Sequence, residues 1–153
     1  MYDLIIIGAG PAGYLAAERT GAAGMNAVLI EKNHFGGVCL NEGCVPSKTL
    51  LHSAKLYTQA KYSQAYGVNV NNVTFDLTTV MARKEKIIAM QRKGIASMLK
   101  KRHVTVEKGF ATILPKSDDA FIVQVDDNVI EGKRLLICTG SEPIRLPIPG
   151  AEQ

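Results

Sequence analysis

The chain has 153 residues, 46% of them hydrophobic and 21% charged, which suits a globular domain with a buried core and excludes a disordered chain. The longest apolar run near its start, residues 4–7, is too short to cross a bilayer, so we expect no membrane partner. The net charge of +4 comes largely from residues 83–102 of one predicted helix. No aromatic residues are interleaved there, so we interpret this charge as a solvated helix face and expect no nucleic-acid partner.

The first thirty residues predict a β-α-β unit. Residues 2–7 have the pattern of a buried parallel strand that ends abruptly at Gly8. An Ala-rich helix is expected over residues 10–23, closed by Gly24, and a second short strand over residues 26–31. A right-handed crossover is the default connection for such a unit, which indicates a parallel sheet.

Two further helices are predicted in the middle of the chain. The first spans residues 46–65, because proline is tolerated in a first turn, and a polar surface connection follows over residues 67–75. The second is a long amphipathic helix, basic on its outer face. Its helical spacing is carried by Leu77, Val80, Met81, Lys84, Ile88, Gln91, Ile95, Met98 and Leu99. A third strand is expected over residues 104–107.

The last part of the chain predicts a small antiparallel meander. Its three short strands are expected at residues 111–114, 121–125 and 128–130, separated by polar turns at 116–119 and 126–127. Residues 134–137 return to the pattern of a buried strand. Residues 143–150 contain three prolines and are interpreted as an exit linker. Together the elements predict an α/β fold with a parallel sheet, flanking helices and a three-stranded meander.

Gly8, Gly10 and Gly13 form a Gly-x-Gly-x-x-Gly motif between the first strand and the first helix. In a dinucleotide-binding loop the first glycine permits the tight turn, the second lets the backbone approach a pyrophosphate, and the third lets the helix lie close to the strand. Amide groups at the helix start then face the phosphates. Glu31 ends the second strand, where a carboxylate can hydrogen-bond an adenosine ribose. The combination favours dinucleotide binding over a glycine turn in an ordinary α/β domain.

Cys39 and Cys44 are the second candidate site. Five residues of regular helix advance about 7.5 Å, whereas bridged Cα atoms usually lie within about 7 Å, so a disulfide here needs a distorted turn. Gly43 could supply the backbone freedom for that turn. Cys44 would lie near the N-terminus of the helix that contains Pro46, where the helix dipole favours a thiolate.

Other interpretations of the cysteines remain open on the residues alone. Buried free thiols are the plain alternative, and a zinc site is poorer because His34, His52 and Cys138 lack the spacing to complete four ligands. We expect His52 and Cys138 to serve packing. The odd count of three cysteines, without a recognisable secretory signal, argues against a disulfide-stapled exported scaffold and favours the cytoplasm.

Residues 36–48, with the sequence Gly-Gly-Val-Cys-Leu-Asn-Glu-Gly-Cys-Val-Pro-Ser-Lys, resemble the active-site segment of the class I pyridine nucleotide-disulfide oxidoreductases. Within that family, Cys-Leu-Asn and the following Ser-Lys-Thr-Leu-Leu-His most resemble the dihydrolipoamide dehydrogenases. Glutathione and mercuric reductases tend to have Val in the place of Leu40. The resemblance covers essentially the whole chain, including the motifs at residues 8–13, 109–111 and 139–141.

The resemblance implies a role for each site residue. Cys39 would be the thiol that exchanges with the substrate, and Cys44 would face the flavin as the charge-transfer thiolate. Lys48 would lie beside the reactive edge of the flavin, and Glu31 would hold the adenosine ribose. The remaining FAD-binding residues implied are Gly8, Gly10, Pro11, Ala12, Gly13, Lys32, Gly36, Gly37, Val38, Gly109, Phe110, Ala111, Thr139, Gly140 and Ser141. No metal is implied.

The resemblance also implies how the domains are organised. Residues 1–142 would form an FAD-binding domain that lacks one parallel strand, and residues 143–153 would lead toward an absent NAD-binding domain. In the family a Gly-Asp segment then completes the FAD domain, and a dimerisation domain supplies a catalytic His-Glu pair from the partner subunit. The full-length protein would be a homodimer, and this chain alone would not complete the catalytic cycle.

The function implied is that of the redox portion of a dihydrolipoamide dehydrogenase. Dihydrolipoyl groups would reduce the Cys39–Cys44 disulfide, and electrons would pass to FAD and then to NAD. The partner would be a lipoyl-bearing protein of a 2-oxoacid dehydrogenase or glycine cleavage complex. A glutathione- or mercuric-reductase-type enzyme running in the opposite direction is the alternative enzyme. A non-catalytic flavin-binding module is the alternative of another class.

Overall fold

The computed structural model describes residues 1–117 and 119–151. Its elements run in the order β1 (Leu4–Ile7), α1 (Pro11–Ala22), β2 (Ala27–Glu31), α2 (Gly37–Asn41), α3 (Cys44–Lys61), a 3₁₀ turn (Ser63–Tyr66), α4 (Leu77–Lys101), β3 (Thr105–Lys108), β4 (Ala111–Leu114), β5 (Phe121–Val125), β6 (Asn128–Gly132) and β7 (Leu135–Ile137). None of the described helices combines the length and the apolar composition needed to cross a membrane.

A four-stranded parallel sheet forms the centre of the fold, with the strand order β3-β2-β1-β7. In this register Ile7 lies opposite Ile30 on one side and Ile137 on the other. The loops that follow β1, β2 and β7 therefore meet at one edge of the sheet. The predicted parallel sheet is confirmed, and its carboxyl edge gathers most of the predicted site residues.

The core has two halves, one on each face of the parallel sheet. On one face Ile6 and Leu29 pack with Ala17 of α1 and Leu99 of α4. On the other face Ile5, Val28 and Ile30 pack against Val123, Val125 and Ile130 of the antiparallel sheet β4-β5-β6. The β-branched and aliphatic strand residues suit a sheet buried on both faces, which explains why they read as continuous runs in the sequence.

Local sequence accounts for several element boundaries. Pro11 occupies the first turn of α1, where its missing N–H costs nothing. Asp76 caps α4 by accepting the Thr78 amide at 2.9 Å and the Thr79 hydroxyl, and these hydrogen bonds hold the pKa of Asp76 below its ordinary value. Asp126 takes a positive φ of 50°, which suits the two-residue turn between β5 and β6.

The predicted strands and long helices are confirmed with shifts of one or two residues at most of their ends, although the helix predicted over residues 46–65 ends four residues early. The cysteine segment differs more. The helix expected from residue 46 begins at Cys44 and ends at Lys61, and the residues before it form α2, a helix that no sequence pattern predicted. A glycine pair usually indicates a loop, but here Gly36 takes a left-handed φ of 99° as the N-cap and Gly37 begins the helix.

Two predicted segments lie partly outside the described residues. The polar turn at 116–119 includes residue 118, and the exit segment at 143–153 includes residues 152 and 153. Residues 143–147 have no regular secondary structure, in line with their prolines. The division of the chain at residue 142 remains a prediction.

Candidate active site

The glycine loop joins β1 to α1 at the carboxyl edge of the parallel sheet. Gly8 has a φ of 98°, a conformation that L side chains rarely adopt. Gly13 lies against the Gly8 carbonyl oxygen so closely that an added Cβ would overlap it. At Gly10 the nearest atom to an added Cβ is the Gly37 Cα, 3.8 Å away, so this side of the loop is open. Gly8 and Gly13 are therefore required by the fold of the loop, whereas Gly10 leaves one side of the loop open to a ligand.

The Glu31 side chain lies at the mouth of the glycine loop. Its carboxylate accepts the Ala9 amide at 2.7 Å and the Asn33 amide at 2.8 Å. The predicted contact to a ribose therefore concerns a carboxylate that is already held in place by two backbone N–H groups. Its position next to the start of α1 fits that prediction.

The ends of β2, β3 and β7 bring three further side chains together. The Lys32 Nζ lies 5.7 Å from the centre of the Phe110 ring and 4.0 Å from a carboxylate oxygen of Glu142. The Gly109 amide donates to the Glu31 carbonyl oxygen at 3.2 Å. Residues 31–32 and 109–110, which the sequence separates widely, are therefore neighbours, as expected if both contact one end of a bound dinucleotide.

Cys39 lies on α2, Cys44 is the first residue of α3, and the two form a disulfide with Cα atoms 4.7 Å apart. The break between the two helices removes the 7.5 Å separation that continuous helix would impose. An added Cβ at Gly43 would lie 3.2 Å from the Val38 carbonyl oxygen and 3.5 Å from the Cys39 Cα. Gly43 thus permits the close approach of the two helices at a φ of −123°, rather than a positive-φ turn.

The cysteine segment and the glycine loop are in direct contact. The Gly36 amide donates to the Ala9 carbonyl oxygen at 2.8 Å, and an added Cβ at Gly37 would lie 2.9 Å from the Gly10 Cα. Cys39 is half-buried, whereas Cys44 is exposed. The disulfide therefore lies within reach of a ligand that begins at the glycine loop.

The remaining predicted residues are arranged around this centre. Lys48 is exposed on α3, four residues after Cys44 and so on the same face of the helix. Several others are also exposed at the site, namely Pro11, Ala12, Val38, Phe110, Thr139, Gly140 and Ser141, while Ala111 is half-buried at the start of β4. No bound molecule tests these assignments, which remain predictions.

Cys138 directly follows β7 beside the glycine loop, and its amide donates to the Ile7 carbonyl oxygen at 2.7 Å. The side chain is half-buried among the residues of the α1 face of the sheet, and this burial raises the pKa of the thiol. The prediction that Cys138 packs as a small apolar residue is consistent with this place.

His52, in contrast, is exposed on α3, so the expectation that it serves packing is wrong. In the described part of the chain, no cluster of three or more His, Cys, Asp and Glu side chains could hold a metal ion.

The prediction of a merely solvated basic face is corrected by Arg83 and Arg92 of α4 and by Arg102, which caps the C-terminus of this helix. The Arg92 Nε donates to the Asn41 side-chain oxygen at 2.6 Å, and Arg83 donates to the Thr49 carbonyl oxygen at 3.3 Å. Arg102 forms an ion pair with Glu18 at 2.9 Å. Each arginine thus reaches a different helix of the site. Their partners lie 51, 34 and 84 positions away, and nothing in the local pattern distinguishes these arginines from the neighbouring lysines.

A groove of about 360 Å³ opens beside Cys39, between α1, α2 and α4. Apolar and aromatic side chains dominate its lining, notably Tyr14, Leu40, Val45, Ile95 and Met98. Gly94 of α4 also lines it, and an added Cβ there would have no atom within 4 Å. Among the residues that the structure describes, no charged side chain contributes to the lining. Cys39, the half-buried member of the pair, therefore borders a groove whose described lining is uncharged.

The sequence profile of the pyridine nucleotide-disulphide oxidoreductases matches residues 2–153. The chain belongs to this family. It is 41% identical over 148 residues to a mitochondrial dihydrolipoyl dehydrogenase of Pisum sativum, and the match covers 95% of this chain and 30% of the relative. It is 38% identical over 153 residues to a dihydrolipoyl dehydrogenase of Acholeplasma laidlawii, covering 99% of this chain and 44% of the relative. A leghemoglobin reductase of Vigna unguiculata is 40% identical over 152 residues, covering 95% of this chain and 28% of the relative.

Among solved structures, an HOCl-induced flavoprotein disulfide reductase from Escherichia coli, in a Cu(II) complex, superimposes with a TM-score of 0.75 at 28% sequence identity. The match covers 97% of this chain and 31% of that protein. The chain thus spans less than half the length of these relatives and corresponds to their N-terminal portion. The predicted family and the predicted fold are both confirmed.

Proposed function

We propose that this chain is the FAD-binding and redox-disulfide portion of an enzyme that oxidises protein-bound dihydrolipoyl groups. The observation that carries the proposal is the contact between the glycine loop and Gly36 and Gly37, which begin the segment that carries the Cys39–Cys44 disulfide. A redox pair on a segment that packs against a dinucleotide-binding loop provides for electron transfer between a thiol substrate and a flavin. The identity of 34–41% to dihydrolipoyl dehydrogenases supports the choice of substrate.

The residues present fit FAD. The first turn of α1 has no side-chain cap, so its amide groups are free to bind a pyrophosphate. Gly10 leaves the approach open, and the Glu31 carboxylate is held beside it for a ribose hydroxyl. Gly109, Phe110 and Ala111 would contact the adenine end, and residues 139–141 would lie over the flavin.

FAD, when bound, supplies a two-electron acceptor for the protein dithiol. The residues of this chain would carry out the thiol–disulfide exchange that precedes that transfer. A substrate thiolate attacks the Cys39 sulfur, the disulfide bond breaks, and Cys44 leaves as a thiolate. The position of Cys44 at the start of α3 lowers the cost of that negative charge, because the helix dipole is positive at this end. The second substrate thiolate then displaces Cys39 and closes the oxidised substrate.

The groove beside Cys39 favours a dihydrolipoyl group over glutathione. A lipoyl arm carries an alkyl chain and no charge near its sulfurs, which suits a lining of Leu40, Val45, Ile95 and Met98. Glutathione carries two carboxylates and an ammonium group, for which the described lining offers no charged partner. The Cys39 groove therefore supports the first substrate class.

The rest of the reaction is proposed for the full-length protein. NAD would be the final acceptor, the partner would be a lipoyl-bearing protein of a 2-oxoacid dehydrogenase or glycine cleavage complex, and the enzyme would be a homodimer. The cytoplasm is the compartment we propose, since a redox-cycling pair needs surroundings that keep thiols reduced. This chain alone would give no sustained NADH formation from dihydrolipoamide.

The choice of cofactor is tested by reconstituting the purified chain with FAD and NAD together. After removal of free ligand and denaturation, the released chromophore is identified by its absorption spectrum and mass. We expect FAD. Recovery of NAD without flavin would overturn the proposal.

The choice of substrate is tested by the rate at which the disulfide is reduced. Dihydrolipoamide and reduced glutathione are compared at equal thiolate concentration, and protein thiols are counted by alkylation and mass spectrometry. We expect dihydrolipoamide to react at least ~10-fold faster, as a dithiol in a matching groove should. Faster reduction by glutathione would favour the alternative, a reductase running in the opposite direction. That alternative draws its support from the structural similarity to the flavoprotein disulfide reductase of Escherichia coli.

A further inference from the structure

Asn41 lies between the two cysteines and uses both ends of its side-chain amide. Its nitrogen donates to the Gly37 carbonyl oxygen at 2.7 Å and to the Phe35 carbonyl oxygen at 3.0 Å. Its oxygen accepts the Arg92 Nε at 2.6 Å. A hydrogen bond with a charged donor is stronger than a neutral one. The amide therefore links the start of α2, its end, and the long helix α4.

Helix α2 needs such a link because it has only five residues. A helix of that length has no stability of its own in water, so tertiary contacts must hold it. The contacts observed are the buried Leu40, the bond from the Gly36 amide to Ala9, the Asn41–Arg92 bond and the disulfide itself. Reduction removes the last of these, so the others must keep Cys39 in place in the dithiol.

We propose that Arg92 is a positioning residue for the redox pair, acting through Asn41 to keep Cys39 close to Cys44 after the disulfide opens. A thiol held near its partner has a high effective concentration, which stabilises the disulfide relative to the dithiol. The inference rests on the proposed function only in taking Cys39 and Cys44 as the redox pair. It does not depend on the identity of the physiological substrate or on flavin binding.

The experiment measures the thiol–disulfide equilibrium of the chain without cofactor. Reduced dithiothreitol breaks the Cys39–Cys44 bond, giving two protein thiols and cyclic oxidised dithiothreitol, so atoms and electrons balance. Samples equilibrated at varied ratios of the two forms are quenched in acid, denatured and alkylated. Mass spectrometry then distinguishes one alkylated cysteine from three, since Cys138 reacts in both states.

Arg92→Met removes the donor and keeps an unbranched side chain that reaches as far as the arginine Nε position. We expect the equilibrium to shift about three- to tenfold toward the dithiol, where tenfold corresponds to about 30 mV for a two-electron couple. Arg92→Lys keeps a cationic donor and should return the equilibrium to within about twofold of the original chain. The matched control is Arg102→Met, which removes the arginine that caps the C-terminus of α4 and contacts α1 instead, and should leave the equilibrium unchanged.

A double variant separates positioning from a general loss of stability. If Arg92 acts through Asn41, adding Arg92→Met to Asn41→Leu should give no further shift. An unchanged equilibrium in Arg92→Met, or equal shifts in Arg92→Met and Arg102→Met, would overturn the proposal, as would additive shifts in the double variant. If Asn41→Leu fails to fold by circular dichroism, the comparison of Met and Lys at position 92 decides. Failure of dihydrolipoamide as a substrate would leave this result unaffected.

Discussion

The two loops of the candidate site are held in place by different means. The glycine loop is fixed by local contacts, namely the packing of Gly13 on the Gly8 carbonyl and the hydrogen bond from the Ala9 amide to the Glu31 carboxylate. The cysteine segment draws additional support from side chains of α4, which bond Asn41 of α2 and the Thr49 carbonyl oxygen of α3. A loop that must bind a large ligand in one geometry can be rigid through local sequence. A loop whose central bond opens and closes needs support from outside itself.

The largest effect is expected from replacing the cysteines. Cys39→Ser and Cys44→Ser should each abolish the thiol–disulfide chemistry, yet leave FAD affinity within about threefold, because each change replaces one atom and leaves the glycine loop unaltered. Long-wavelength absorption of the FAD-loaded proteins would show which sulfur faces the flavin. We expect a charge-transfer band in reduced Cys39→Ser and none in Cys44→Ser. The opposite pattern would reverse the two roles.

A second pair of variants separates fold from ligand binding within the glycine loop. Gly13→Val places atoms on the Gly8 carbonyl and should lower the free energy of unfolding by about 3 kcal/mol or more. Gly10→Val meets only the Gly37 Cα at 3.8 Å from its Cβ, so its cost should stay within about 1 kcal/mol. Both should weaken FAD binding at least ~10-fold by fluorescence titration. Unimpaired FAD binding in Gly10→Val would show that the ligand lies elsewhere.

The comparison of the two loops also explains what could be predicted from the sequence. The β-α-β unit, its glycine spacing and Glu31 lie within about thirty residues, so local patterns contain the necessary information. The cysteine pair was identified by its resemblance to a family, but α2 was missed, because five residues after a glycine pair carry no helical period.

The support from α4 could not be predicted at all. The sequence around an arginine on an amphipathic helix is the same whether the side chain is solvated or hydrogen-bonds a residue 51 positions away, as Arg92 does. The exposure of His52 was missed for a related reason. Which face of α3 is covered depends on how α3 meets α4, and the helical period of α3 alone does not determine that.

Gly94 tests whether the groove beside Cys39 selects the substrate. Gly94→Phe should fill the groove and slow disulfide reduction by dihydrolipoamide about 10-fold, while reduction by the smaller dithiothreitol slows less than about threefold. Ala89→Phe, at an exposed position of the same helix that does not line the groove, is the control. Equal slowing of the two dithiols by Gly94→Phe would mean that the groove does not discriminate.

The smallest effect concerns Cys138, next to the glycine loop. Burial raises the pKa of its thiol above the ordinary value of 9.0, so the folded chain favours the neutral form more than the unfolded chain does. Its contribution to stability is therefore fully present below pH 9 and is lost as the pH rises through the higher pKa of the folded state. Because the side chain is half-buried, the loss should be modest.

Cys138→Ala removes the titrating group and keeps a small apolar side chain in the same packing. Between pH 7 and pH 10 the unfolding midpoint of the original chain should fall further than that of Cys138→Ala, by no more than about 2 °C. Other groups titrate in this range, but they contribute equally to both proteins, so the difference isolates the thiol. Identical pH dependence in thermal scans would show that the apolar face of α1 does not oppose the thiolate. In that case the surroundings of Gly13 would tolerate a negative charge. Close packing around Gly13 would then not be what distinguishes the glycine loop from the cysteine segment.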